Sequence, residues 1–194
     1  MSILEEKEVE SANSENIRLL INELVKRFAK NGIYLEVGTF MGSSLLSAAL
    51  FNPSTLCIGV DNFSEFDPRG TNYQKLKENL AKFDNLSNVE FYNQDYKKAI
   101  TDIFSLASER RVNIYYYDGP HDYTNQLEGL EEILPYLERK CLIVVDDVNY
   151  DTANRANNKF IKRHKDFKLA FRIRTKHNGS SGWWNGFAII TRGI

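Results

Sequence analysis

Residues 34–44 read YLEVGTFMGSS: a hydrophobic strand-like run, an acidic residue near its end, then a turn with two glycines. The stretch before it, residues 15–30, sets Ile17, Leu20, Ile21, Leu24, Val25 and Phe28 at three- and four-residue steps. Ser14 stands where it caps the start and Gly32 follows the end, which predicts an amphipathic helix. The stretch after it, SSLLSAALF, predicts another helix closed by Pro53. A strand therefore runs through a glycine turn into a helix, and the rest of the chain repeats that unit.

The first strand is predicted at 33–37, and further strands at 56–60, 89–92, 112–118 (VNIYYYD) and 141–147 (CLIVVDD). Between them, Tyr73, Leu76, Leu80 and Phe83 mark one helix, and Ala99, Ile100, Ile103 and Leu106 mark a second over 96–107. A third follows the capping Asp122 and buries Leu127, Leu130, Ile133, Leu134 and Leu137, with Pro135 loosening its last turn. A helix over 152–164 precedes two strands, 167–175 and 183–191, joined by the hairpin signal KHNGSSG. In the second of these, Trp183 and Trp184 should face opposite sides, one packing inward and the other bordering a pocket. Strands alternating with helices require parallel pairing with right-handed crossovers, and continuous apolar runs such as LIVV require cover on both faces. The expected fold is a doubly wound α/β sheet of seven strands, mostly parallel with an antiparallel final strand, and with helices on both faces.

The chain has 194 residues, enough for one domain over 15–194, with the polar residues 1–14 expected to be disordered. A formal net charge of -1 argues against a broad nucleic-acid-binding surface. No apolar run approaches the roughly 18 to 20 residues of a membrane span, and the acidic N-terminus does not read as a signal peptide, so a cytoplasmic location is expected. Cys57 and Cys141 lie in or beside apolar runs and read as buried thiols.

In an open α/β sheet, ligands bind outside the carboxyl ends of the strands. Glu36 and Gly38 end the first strand, Asp61 the second, Asp118 the fourth, Asp146 and Asp147 the fifth, and Asp95 follows the third. One such aspartate is ordinarily a turn former or cap; five strands doing so in series point to a site. GTFMGSS lacks the G-x-G-x-x-G of a dinucleotide site, and no G-x-x-x-x-G-K-[ST] occurs. A strand, E-x-G-x-x-x-G, a hydroxyl-rich helix start and an acid ending the next strand suit a nucleoside without phosphates.

Together YLEVGTFMGSS, GVDNF, YYYDGPHDY and LIVVDDVN resemble the class I S-adenosylmethionine-dependent methyltransferases, a Rossmann-like group. The likeness is to the methyltransferase-24 group and the metal-dependent O-methyltransferases of catechol and macrocin type. It implies an S-adenosylmethionine site made by Glu36, Gly38, Thr39, Phe40, Gly42, Ser43, Ser44, Asp61, Asn62, Asp95 and Asp118. In it Ser44 would hold the methionine carboxylate and Asp61 the ribose hydroxyls. It also implies a divalent cation, magnesium by preference, on Asp118, Asp146 and Asp147, with Asp147 where the catechol type has asparagine. His121, three residues after Asp118, stands where that type has a lysine base, and an imidazole can take a hydroxyl proton. The implied partner is a small-molecule acceptor, with a homodimer also in view. A metal-independent methyltransferase acting on another nucleophile and a non-catalytic cofactor-binding protein stay open as alternatives.

Overall fold

The computed structural model describes residues 2–84, 86–105 and 110–194. Its helices are α1 (Ser2–Glu6), α2 (Glu15–Phe28), α3 (Ser43–Ala49), α4 (Asn72–Ala81), α5 (Tyr96–Ser105), α6 (Tyr123–Glu132) and α7 (Asp151–Arg163). The strands are β1 (Ile33–Val37), β2 (Leu56–Asp61), β3 (Val89–Asn93), β4 (Val112–Tyr117), β5 (Leu137–Asp146), β6 (Phe167–Ile173) and β7 (Phe187–Arg192). They form one sheet in the order β3-β2-β1-β4-β5-β7-β6, in which β7 alone runs antiparallel to its neighbours. The expected doubly wound sheet is thus the observed one, with β7 inserted between β5 and β6.

Hydrophobic burial on both faces fixes the layers. On one face Ile17, Ile21 and Val25 of α2 and Leu45 and Ala48 of α3 pack on Tyr34, Ile114, Tyr116 and Val144. On the other, Ile100, Phe104, Leu130, Ala156 and Phe160 pack on Leu35, Tyr115, Ile143 and Ile190. Strand order reverses at β1, which pairs with β2 on one side and β4 on the other. The ladder continues past both strand ends, where Gly38 N–H donates to Val60 O and Asp118 N–H to Val37 O. The helices that follow β1 and β4 leave on opposite faces, so a crevice opens between these two turns.

Three expectations need correction. Helix α6 stops at Glu132, and Leu134–Tyr136 form a single 3₁₀ turn, because Pro135 has no N–H for a helical bond; Leu137 therefore opens β5 and is not the last residue of a helical stripe. The two tryptophans precede β7. Trp184 adopts a left-handed φ of 49°, and Gly186 N–H donates to Trp183 O, so the chain turns twice before the strand begins. Residues 2–14, read as disordered, carry α1 and bury Leu4 and Val9 against Leu46 and Phe83, an apolar attachment that overrides the polar composition. Leu106, expected to face inward from α5, lies outside the described residues. Among the described residues no helix is long and apolar enough to cross a membrane.

Candidate active site

A cavity of about 500 Å³ opens at the carboxyl ends of β1, β2, β4 and β5. Of the residues singled out in the sequence, Gly38, Phe40, Asp61, Asn62, Asp95, Asp118, His121, Asp146 and Asp147 line it. Glu36, Thr39, Gly42, Ser43 and Ser44 do not; they form a buried layer around the turn that shapes it. Phe63, next to Asn62, packs with Tyr73 and Phe91. Trp184 and Tyr150 do line the cavity, while Trp183 packs against Phe171 and Phe187.

The glycine turn makes the first half of the site. Gly38 has φ +87°, and a Cβ there would lie 2.0 Å from the Asp118 carbonyl oxygen. Only glycine lets the β1 and β4 turns approach this closely. Beneath it Glu36 is wholly buried; its Oε2 accepts from the Tyr34 hydroxyl at 2.6 Å and its Oε1 has no hydrogen-bond partner among the described residues. Burial pushes the Glu36 carboxyl up to about 7, against the opposing effect of the Tyr34, Ser44 and Thr39 hydroxyls. Asp61 is held from two sides, Oδ2 accepting from Phe40 N–H and Oδ1 from Phe63 N–H, each at 2.7 Å. Asp61 also lines the cavity, and a carboxylate can accept further hydrogen bonds from a ligand there. Asp95 both lines the cavity and caps α5, accepting from Lys97 N–H at 3.0 Å.

The second half lies across the cavity. Asp146 is buried, with Oδ2 accepting from the Tyr116 hydroxyl and Oδ1 from Asp147 N–H. The chain then turns left-handed at Asp147, φ 58°, which parts the two adjacent carboxylates. Asp147 Oδ2 stands 3.0 Å from His121 Nε2, and Asp118 Oδ1 stands 3.7 Å from the same nitrogen. The donor set that converges is therefore Asp118, His121 and Asp147, with ligand atoms within 4.8 Å of one another. Asp146, the third aspartate expected, lines the same cavity, and each of its oxygens accepts one hydrogen bond from the fold.

Burial, then the charges of Asp146 and Asp147, hold the Asp118 carboxyl well above the usual range, and burial with the Asp147 charge raises Asp146. Burial alone would lower His121, but its hydrogen bond to Asp147 and the Asp147 charge outweigh this and raise it. The donor chemistry fits a hard divalent cation, whose charge would relieve this repulsion. One buried polar atom without a partner among the described residues, Tyr96 Oη on the cavity wall, fits a polar ligand beside it.

A stability prediction follows from these carboxyls. Glu36, Asp61, Asp118 and Asp146 are raised above their unfolded values, so the folded state holds more protons, and stability falls as pH rises from about 4 through 7. His121, also raised, adds stability that is lost in the same direction. Glu36 alone corresponds to about 3 kcal/mol. Urea unfolding in chelator is expected to show the protein more stable near about pH 5 than near about pH 8; a rise over that range would contradict the charge assignment.

Sequence reading missed Gln94, Asn125 and Asn185 in the wall, and Ala12, which the N-terminal segment brings to the cavity. It also missed Gln126, whose Oε1 stands 3.4 Å from His121 Nδ1. Gln126, Leu130 and Ile133 fall at helical spacing, so an amide on the apolar stripe was the available signal.

A family model described as a methyltransferase domain matches residues 35–148. No curated protein matches the chain. Among solved structures, an O-methyltransferase from Bacillus cereus in complex with SAH superposes with TM-score 0.75 at 15% identity, covering 99% of this chain and 91% of the other. The O-methyltransferase TomG from Streptomyces achromogenes, solved with SAM, gives 0.70 at 15%, covering 98% and 86%. The TDP-rhamnose 3'-O-methyltransferase CalS11 of calicheamicin biosynthesis gives 0.65 at 19%, covering 91% and 79%. At these identities the likeness is one of fold.

Proposed function

The chain belongs to the methyltransferase-domain family, and on that premise we propose that its acceptor is a hydroxyl oxygen of a small molecule, handled beside a divalent cation of the magnesium type. S-adenosylmethionine is the donor; when bound, it supplies an electrophilic methyl group on a sulfonium. The observation that carries the acceptor side is the convergence of Asp118, His121 and Asp147 within one cavity bounded by Gly38 and Asp61.

In this reading Gly38 gives the methionine end of the donor access to bare backbone, with Glu36 and Ser44 beneath it, and Asp61 accepts from the ribose hydroxyls. Phe40, Asn62 and Asp95 border the nucleoside, while Thr39, Gly42 and Ser43 shape the turn. Asp118 and Asp147 hold the cation, which when bound offers positive charge to an acceptor oxygen and its neighbour. Asp146, fixed by Tyr116, sets the direction of Asp147. His121 Nε2, facing both carboxylates, takes the hydroxyl proton. Positioning and charge stabilisation are the protein's contribution. The same convergence supports a second reading in which His121 is itself a ligand.

The O-methyltransferase neighbours, one of which acts on a sugar hydroxyl by its name, favour oxygen as the nucleophile. The test is transfer from methyl-labelled S-adenosylmethionine to a panel of sugar diols, catechols, hydroxy acids, amines and thiols, with magnesium and with chelator. Labelling that stops in chelator supports the reading; full labelling in chelator overturns the metal, and labelling confined to nitrogen or sulfur acceptors overturns the hydroxyl.

A further inference from the structure

Trp184 carries the bulkiest of side chains on a left-handed backbone, φ 49°, where glycine is at ease and a bulky residue is strained. The turn itself needs no indole there. Ser180 and Trp184 exchange both backbone hydrogen bonds, at 2.9 and 3.1 Å, and Thr175 Oγ1 stands 3.0 Å from the Trp184 carbonyl oxygen. Asn149 joins this turn to the loop that carries Asp147: its N–H donates to Asn185 O at 2.8 Å, and its Oδ1 accepts from Thr175 N–H at 2.9 Å. Gly186 completes the clamp, since a Cβ there would lie 2.9 Å from Asn149 Oδ1. Strain that the surroundings hold in place from several sides points to a side chain kept for what it presents.

Trp184 lines the cavity. Its neighbour Trp183 packs on Phe171 and Phe187, and Tyr150 lies parallel to the His121 ring, whereas Trp184 makes no ring contact among the described residues. The indole is anchored where it rests partly on the apolar core under α2. Through Asn149 its turn is tied to the Asp147 side of the cavity. We propose that Trp184 is a specificity-determining residue of the acceptor site, its indole being the platform on which a ring of the acceptor lies while the acceptor hydroxyl reaches His121 and Asp147. An aryl ring stacks on an indole, and the C–H face of a pyranoside packs on it in the same way; an open-chain hydroxyl compound has no such face. The inference rests on the acceptor reading given above.

The chain has 2 tryptophans, so Trp183→Phe leaves Trp184 as the sole indole emitter. Its fluorescence, corrected for probe absorbance, is followed as methyl mannoside, catechol or glycerol is titrated in magnesium, with and without S-adenosylhomocysteine. At least one ring compound should shift the emission at concentrations where glycerol does not, and which of them does so distinguishes a C–H face from an aryl face. A response to neither ring, or one that glycerol matches, overturns the proposal. Trp184→Gly, which suits the left-handed turn, should raise KM for ring acceptors by about tenfold or more in the labelled-transfer assay, with kcat changed less and S-adenosylhomocysteine affinity kept. An unchanged KM, or loss of S-adenosylhomocysteine affinity, overturns the platform role, and the emission result decides the matter if this variant fails to fold. Ring binding at Trp184 without transfer to any acceptor upholds the platform and counts against the hydroxyl reading alone.

Discussion

Asp118→Ala is expected to abolish methyl transfer and to weaken divalent-cation binding by more than about 100-fold, while cofactor affinity changes by less than about tenfold. The side chain is one of three that converge on the acceptor side, and its loss leaves Asp147 without a carboxylate partner across the cavity. The nucleoside contacts ascribed to Asp61 and Asn62, and the glycine turn, are untouched. A second effect runs against intuition. Asp118 is held well above the usual carboxyl range by burial and by the charges of Asp146 and Asp147, so removing it relieves repulsion. The cation-free variant should melt no lower than the wild type. Calorimetric titration of manganese and of S-adenosylhomocysteine, with a thermal melt, checks all three effects; loss of cofactor binding together with cation binding would show one site where two are described.

Gly38→Ala should act through the backbone. The position has φ +87°, where an L-residue is strained by roughly 1–3 kcal/mol, and the new Cβ would stand 2.0 Å from the Asp118 carbonyl oxygen. That obstacle is main chain at the end of β4, so relief requires the β1 and β4 turns to part, at a combined cost of about 3–5 kcal/mol. The same movement displaces Asp118 and the floor of the cofactor cavity, so cofactor binding should fall below detection. Gly42→Ala is the informative comparison. It shares φ +87°, but its Cβ would meet Leu76 Cδ1 at 2.5 Å, the end of a side chain that can rotate away. Urea unfolding should rank Gly38→Ala well below Gly42→Ala; equal losses would mean that strain alone, without the close approach, governs the turn.

Most of the fold was legible because strand and helix periods alternate cleanly. Residues 33–37 were read as β1 with the bounds observed, and the strand-ending acids fell where the sheet brings carboxyl ends together. What the sequence hid lies where local pattern and tertiary contact disagree. The stripe through Leu137 continued at helical spacing, yet Pro135 broke it and gave Leu137 to a strand. Trp183 and Trp184 look like strand residues until the left-handed Trp184 turns them out of the ladder. At the site, Asp118, Asp146 and Asp147 read as equal ligands. Only the fold shows Tyr116 and the Asp147 amide engaging Asp146, and His121 closing the set. Adjacent aspartates in sequence cannot reveal that a left-handed backbone step separates them.

The central claim is a cofactor pocket at the β1 turn that stands apart from the cation site across the cavity. Calorimetric titration of S-adenosylhomocysteine into the purified protein, in magnesium and again in chelator, tests it most directly. Micromolar binding under both conditions is the predicted result. Absence of binding under both would contradict the cofactor pocket, and binding only in magnesium would contradict the separation of the two sites.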